Sequence, residues 1–256
     1  MESIRLVTIG QKHTKNMKLI IDGDMLLYRA GFSCEVEVKW EDDIWTLHSN
    51  ENEMKGHFDV ALGGLVKLID PNAEVVVAFS DKENYRYDIF PAYKANRKNT
   101  RKPLGLSALR EWAIESYDSR VFPRLEADDV CGIICTTDRD CIAVSGDKDF
   151  GTLPIRWFNM LKRTMHNVTE EEADNFHLIQ TLAGDATDGY GGVKGIGVKT
   201  GQRLLDKKGY TWDTVVEAYE KAGLNEDDAL VTARLARILR AEDYDGVNIK
   251  LWEPKR

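Results

Sequence analysis

The chain has 256 residues, of which 43% are hydrophobic and 30% charged, and it carries a formal net charge of −8 at pH 7. That length supports a medium domain or a domain with an appended lobe, and the composition excludes a disordered chain. No apolar run reaches membrane-spanning length and no secretory signal is visible, so a soluble protein without membrane contact is expected.

Four cysteines (Cys34, Cys131, Cys135 and Cys141) show no CxxC and no paired spacing, which suits a reducing cytoplasm. The acidic balance argues against a polyanionic partner until its distribution is considered. Residues 89–110 contain no acid, whereas Lys94, Arg97, Lys98, Arg101, Lys102 and Arg110 are all basic. A basic strip beside gathered acids is the pattern of a phosphate-binding surface next to a cation-charged site.

Residues 1–16 have no sustained period and read as a loose extension. Residues 18–21 predict a first strand, which ends in Asp22-Gly23-Asp24 and opens a helix. Residues 34–54, with Trp40 and Trp45, read as loop with short strands or a helix. Residues 58–69 have helical spacing, weakened by Gly63-Gly64 and stopped by Asp70-Pro71-Asn72. Residues 74–79 form a continuous apolar run, as in a parallel strand covered on both faces, and deliver Asp81.

After the basic stretch, residues 106–117 resume helical spacing. Residues 125–137 predict a helix with Val130, Ile133 and Ile134 inward and Glu126, Asp128 and Asp129 in its first turn, where the helix dipole tolerates acids. Cys131 and Cys135 on this helix read as small buried residues rather than half a metal site. Residues 140–145 form a buried strand that runs into Gly146-Asp147-Lys148-Asp149, and residues 155–158 add another. From Thr169, a candidate N-cap, short helices follow: 174–182, two helices joined by a glycine hairpin within 184–205, then 212–222 and 227–240, with a closing strand at 247–252.

The expected fold is therefore α/β: a mostly parallel central sheet flanked by helices, with a C-terminal helical lobe. The expected organisation is an extension over 1–16, an α/β domain over 17–170 with a basic stretch at about 85–105, and the lobe over 171–256. Strands ending in Asp22/Asp24, Asp81 and Asp147/Asp149, with Glu126/Asp128/Asp129 at a helix start and Asp185/Asp188 in a glycine turn, would converge on one sheet edge. Their repulsion is tolerable with divalent cations bound, and oxygen ligation without His or Cys suits Mg²⁺ or Mn²⁺. Two ions about 4 Å apart can activate water and stabilise the leaving oxygen of a phosphodiester. Solvated acids on turns are the bland alternative for each group alone. His166 and His177 are assigned to surface or core.

The glycine stretch fits neither a P-loop, because Val198 stands between Gly197 and Lys199, nor a dinucleotide fingerprint, because Gly201 comes one position late. What remains is a turn whose amides and following helix N-terminus suit a phosphate, flanked by Lys194, Lys199 and Arg203. A tight helix connection is the alternative. Lys94 and Arg97, one helical turn apart, would be aimed by a helix at one phosphate. Lys98, Arg101 and Lys102 read either as part of that strip or as a solvated arm, and Tyr28 and Tyr93 either as packing residues or as nucleic-acid contacts.

The pieces IDGD, FSD, YKANR, EADD, SGDKDF, GDATDG and GVKGIGVKTG, in this order over about residues 17–205, resemble the flap endonucleases and bacteriophage 5′→3′ exonucleases, which include the 5′-nuclease domain of bacterial DNA polymerase I. The resemblance implies that Asp22, Asp81, Glu126 and Asp128 surround one metal and Asp147, Asp149 and Asp188 a second, with Asp129 and Asp185 in an outer shell. It makes the domain over 17–170 catalytic and the basic stretch at about 85–105 an arch, and it implies that Lys94 and Arg97 reach the scissile phosphate from that helical arch and that Tyr28 stacks on the adjoining base. It further implies that the turn around Lys194, Gly195, Ile196, Gly197, Lys199 and Thr200 grips duplex DNA, with a K⁺ ion at its carbonyls. Asp24 stands where the family commonly has a small or polar residue.

The expected function is a metal-dependent 5′ nuclease on DNA with 5′ ends, flaps or junctions, acting as a monomer. Two rivals differ in class. A haloacid-dehalogenase-type phosphohydrolase would use IIDGD as its nucleophile strand but needs a strand before Asp185. A catalytically silent junction-binding protein would lack a site acid.

Overall fold

The computed structural model describes residues 17–255, and the extension expected over residues 1–16 lies outside the described residues. In chain order the first elements are β1 (Lys18–Asp22), α1 (Gly23–Ser33), β2 (Glu35–Lys39), β3 (Trp45–Ser49), α2 (Glu51–Ile69) and β4 (Glu74–Ala78). A one-turn α3 (Arg86–Ile89), α4 (Leu106–Ser116), β5 (Ser119–Arg120), α5 (Ala127–Thr137), β6 (Cys141–Ser145), β7 (Arg156–Asn159) and β8 (Thr164–Asn167) follow. The rest is α6 (Glu170–Ala183), the two-residue strands β9 (Gly184–Asp185) and β10 (Tyr190–Gly191), α7 (Val198–Lys208), α8 (Trp212–Lys221) and α9 (Glu226–Ala236).

Six strands form the main sheet in the order β5-β4-β1-β6-β7-β8, parallel except for β8 at the edge. Because successive side chains on a strand face opposite ways, the apolar runs of β1, β4 and β6 fill two cores at once. Ile20, Val76, Ala78 and Ala143 pack with Val130 and Ile133 of α5. Leu19, Ile21, Val77 and Val144 pack with Leu26 and Leu27 of α1, Phe58 and Leu62 of α2, and Leu109 and Ala113 of α4.

Pairing runs outward from β1 to β4 and β5, then returns through α5 to β6 on the other side. The order of the strands reverses between β1 and β6, and the crevice beyond their C-terminal ends is where open α/β sheets place ligands. Asp22 ends β1 and Ser145 ends β6 at that crevice.

The helices from α6 onward have their own core, with Ile179, Leu182, Leu205, Trp212, Val215, Tyr219 and Ala233. Thr169 caps α6 as expected, its side chain accepting from Glu172 N while the Glu172 carboxylate accepts from Thr169 N. His177 is a core residue, donating from Nε2 to Ala233 O at 2.8 Å, and burial pushes its pKa down to about 3. His166 stacks on Trp157 at 4.5 Å. The four cysteines are buried, and none is in a disulfide.

Residues 34–54 form the short strands β2 and β3, paired as an antiparallel hairpin, and the first turn of α2, within the short strands or helix expected there. Two expectations need correction. Helix α9 stops at Ala236 because Arg237 turns extended (φ −72°, ψ 115°) and gives its carbonyl to Arg86. The strand expected at 247–252 is reduced to one bridge, Tyr244 with Ile249.

No helix among the described residues is long and apolar enough to cross a membrane.

Candidate active site

Asp22 serves two purposes where β1 becomes α1: its Oδ1 accepts from Met25 N at 3.3 Å, and its Oδ2 accepts from Ser145 Oγ at 2.8 Å. It is 7% exposed. Burial first, and then the charge of Asp24, push its pKa up to about 7, with Asp147 adding to the effect. Asp24 is also raised by burial, and Glu126 contributes. These mutual effects trace one continuous acidic field from Asp147 through Asp22 and Asp24 to the start of α5. Asp81, just past β4, accepts amides from Lys82 and Arg124, each at 2.7 Å, and is held below the ordinary carboxylate range by the Arg124 amide foremost.

Glu126 precedes α5 and forms a capping box with Asp129. Glu126, Asp128 and Asp129 offer oxygens within 4.8 Å of one another. Asp128 is raised by burial and by Asp129 and Glu126. Burial also pushes Glu126 up, but Lys94 and Arg86 outweigh it and hold this carboxyl low.

Arg86 is the residue that the sequence reading missed. Its guanidinium donates to Asp129 Oδ2 at 2.6 Å and Oδ1 at 2.9 Å, to Glu126 Oε2 at 3.1 Å, and to the carbonyls of Leu235 and Arg237. Leu239 N adds a further bond to Asp129 Oδ1 at 3.0 Å. Both oxygens of Asp129 are thus engaged, and the carboxylate faces inward behind Glu126 and Asp128. An arginine between two aromatics in NYRYDIF, upstream of the basic strip, was its only signal.

The basic strip enters without the expected helix. Pro91 lacks an N–H, Lys94 takes a left-handed conformation (φ 53°), and Ala95–Arg97 makes a single 3₁₀ turn. The convergence of Lys94 and Arg97 survives by another route. Lys94 N donates to Asp188 O at 2.7 Å, its ammonium pairs with Glu126 and lies 3.8 Å from Asp188, and Arg97 pairs with the other oxygen of Asp188. Asn96 and Arg97 also bind the carbonyls of Ala186 and Thr187.

Tyr93, considered as a nucleic-acid contact, is only 3% exposed and cannot meet a base. Its hydroxyl lies 2.9 Å from Glu126 Oε2 and 3.0 Å from Asp188 Oδ2, linking the two carboxylates from inside.

Asp147 caps the 3₁₀ turn Lys148–Thr152, accepting from Asp149 N at 2.9 Å. Burial, and then Asp147, raise Asp149 to about 6. Gln180 of α6 donates to Asp149 from Nε2, while its buried Oε1 has no hydrogen-bond partner. Asp185 accepts from Thr187 N at 2.7 Å, and the Lys148 ammonium lies between Asp149 and Asp185.

The remaining expected residues are on the surface. Tyr28 is 40% exposed, with its ring 6.3 Å from Phe32. Lys98, Lys194, Lys199, Thr200 and Arg203 are exposed, as are Gly195 (φ 85°) and Gly197 ahead of α7. Ile196 is half-buried and packs on the lobe core. Gly184 and Gly192 let the chain cross itself beneath the turn, because a Cβ on either would strike the other's backbone.

The donor set suits hard divalent cations. It consists of carboxylate oxygens plus the orphaned Gln180 Oε1, and Asp22 and Asp149 are raised by burial first and by neighbouring carboxylates second. The phosphohydrolase rival does not fit, since helix α6, not a strand leading out of the main sheet, delivers Asp185.

Residues 17–181 match the family described as 5′-3′ exonuclease, N-terminal resolvase-like domain. The exonuclease of Escherichia phage T7 is 33% identical, the alignment covering 92% of this chain and 93% of that protein. Flap endonuclease Xni of Shewanella oneidensis is 29% identical over 74% of each chain. Among solved structures, the T5 D15 protein co-crystallised with metal ions superposes with a TM-score of 0.65 at 16% identity, over 87% of this chain and 89% of that one, a likeness of fold.

Proposed function

This chain belongs to the 5′-3′ exonuclease family, and from that premise we propose that it is a metal-dependent 5′ nuclease that removes nucleotides from DNA 5′ ends and cuts 5′ flaps at single-strand/duplex junctions. One observation carries the reading: Lys94 pairs with Glu126 at the start of α5 and lies 3.8 Å from Asp188, with which Arg97 also pairs, while Asp22 at the end of β1 feels the charge of Asp24 and Asp147.

Asp22, Asp81, Glu126 and Asp128 would hold one divalent cation and Asp147, Asp149 and Asp188 a second, with Asp129 and Asp185 behind them. The charge density and oxygen-only donors favour Mg²⁺ or Mn²⁺. Such cations supply Lewis-acid stabilisation of the charge that builds on the phosphodiester and ease proton loss from water.

The chain's own residues do the rest. Lys94 and Arg97 are presented beside the carboxylates and can transfer to an incoming phosphate, where their cations add electrophilic help. Asp129, locked by Arg86, fixes the angle at which α5 presents Glu126 and Asp128. Tyr28 offers an exposed ring for the base next to the scissile bond. Lys194, Lys199, Thr200, Arg203 and the free amides ahead of α7 hold the duplex backbone without reading sequence, with K⁺ accepted by the turn's carbonyls. The protein acts as a monomer in the cytoplasm.

The test is cleavage of a 5′-labelled flap substrate with and without Mg²⁺, beside Asp147→Asn. Mg²⁺-dependent cutting near the junction, lost in the variant while DNA binding persists, is the expected result. Intact DNA under every metal condition, with tight junction binding, would replace the nuclease with a silent junction binder.

A further inference from the structure

We propose that Lys148 is a resident counter-cation of the second acidic group, competing with a divalent ion for Asp149 while anchored on Asp185, and thereby setting how tightly that ion is held. The inference rests on the reading of Asp147 and Asp149 as ligands of the second ion, with Asp185 behind them.

Lys148 lies between two of those acids in sequence, and its ammonium reaches across to the third. Its Nζ is 2.9 Å from Asp149 Oδ1 and 3.4 Å from Asp185 Oδ2, tying the loop after β6 to β9. The same Asp149 oxygen also receives the Gln180 amide. A divalent ion requires lone pairs of the Asp149 carboxylate at about 2.0–2.1 Å for Mg²⁺. An ammonium on Asp149 Oδ1 and an ion on the same atom repel each other across a few ångströms, so ion binding disrupts the lysine contacts.

The two acidic groups differ in how firmly their own cation is fixed. Lys94 is 21% exposed, lies over the Tyr93 ring at 5.0 Å and pairs with Glu126. Lys148 is 57% exposed and is held only through carboxylates, so it can swing into water at the small cost typical of an exposed ion pair. The first group therefore keeps its cation while the second exchanges it. A DNA phosphate brought to the site offers the released ammonium a new anionic partner.

The experiment is equilibrium binding of Mn²⁺ alone to the full chain without DNA, followed by electron paramagnetic resonance of the free ion, for wild type, Lys148→Ala, Lys148→Arg and Asp149→Asn. Two affinity classes are expected, and Lys148→Ala tightens the weaker one by roughly 3- to 10-fold. Lys148→Arg, which keeps the charge, stays within about twofold of wild type, and Asp149→Asn loses the weaker class. Unchanged or weakened affinity in Lys148→Ala, with the class still lost in Asp149→Asn, overturns the role of the lysine and leaves the acidic group standing. Retention of both classes in Asp149→Asn overturns the ligand reading and the inference with it.

Discussion

Arg86 grips Asp129 through two parallel hydrogen bonds of 2.6 and 2.9 Å, with the guanidinium 2% and the carboxylate 0% exposed. Removing one partner strands the other without solvent. Arg86→Met is expected to cost about 3–5 kcal/mol in urea unfolding, and Arg86→Lys to recover less than half, because an ammonium cannot make the two-pronged contact. A double variant, Arg86→Met with Asp129→Leu, should be more stable than the single one. Equal stability of all three with wild type would show that the pair carries no weight.

Asp22 makes stability depend on pH in an unusual direction. In the fold its carboxyl holds a proton up to about 7, whereas its ordinary value is 3.8. Between those limits the native chain binds a proton that the unfolded chain has lost, so stability falls as pH rises through the window. At ~1.4 kcal/mol per tenfold change in proton affinity, the whole effect is at most about 4 kcal/mol. With chelator present, Asp22→Asn should melt well above wild type at pH 8 and close to it at pH 4. A constant gap at both pH values would mean that the carboxyl is not elevated.

Tyr93 bridges Glu126 and Asp188 through one hydroxyl. Tyr93→Phe keeps the ring and deletes the bridge, leaving both carboxylates to Lys94 and Arg97. Cleavage should fall about tenfold in kcat, the scale of one buried hydrogen bond to a charged group, with duplex affinity unchanged. A change confined to DNA affinity would return Tyr93 to the DNA surface.

Lys199 and Arg203 are exposed on the first turns of α7. Replacing both with Glu should weaken binding of duplexes of unrelated sequence alike and flatten the log–log salt dependence by about two, close to one unit for each phosphate no longer neutralised. Filter binding between 50 and 200 mM salt, as in ordinary polyelectrolyte titrations, reads both effects. An unchanged slope would move the duplex-binding surface elsewhere.

Much of this was legible in the residues because parallel strands covered on both faces leave continuous apolar runs, as at Val75 to Phe79 and Cys141 to Val144, and because acids directly after such runs must lie at one sheet edge. The pairing of β2 with β3 was not: Glu35, Glu37 and Lys39 alternate with Val36 and Val38 as in a strand, but no residue of β2 is buried, so nothing in the pattern named its partner. The path of residues 90–97 was hidden as well: the spacing of Lys94 and Arg97 implied a helix, while a left-handed Lys94 brings both to Asp188 by irregular backbone. Arg86 stayed invisible because its partners come from two distant segments, 126–129 and 235–237, neither adjacent to it in sequence.

Those partners have a further consequence. Arg86 bonds to the carbonyls of Leu235 and Arg237, 149 and 151 positions later, and Asp129 to the amide of Leu239, 110 positions later. Gly132 lies so close under the Leu239 carbonyl that any Cβ there would strike it. The acids at the start of α5 are thus set in place by residues translated long after them. Bonds of such sequence separation close late and slowly. A nascent chain carries every acid it needs well before it can hold them in register, so DNA-cutting competence arrives only once residues 235–239 have emerged, and a ribosome-stalled or clipped product short of them would be inert toward the DNA around it.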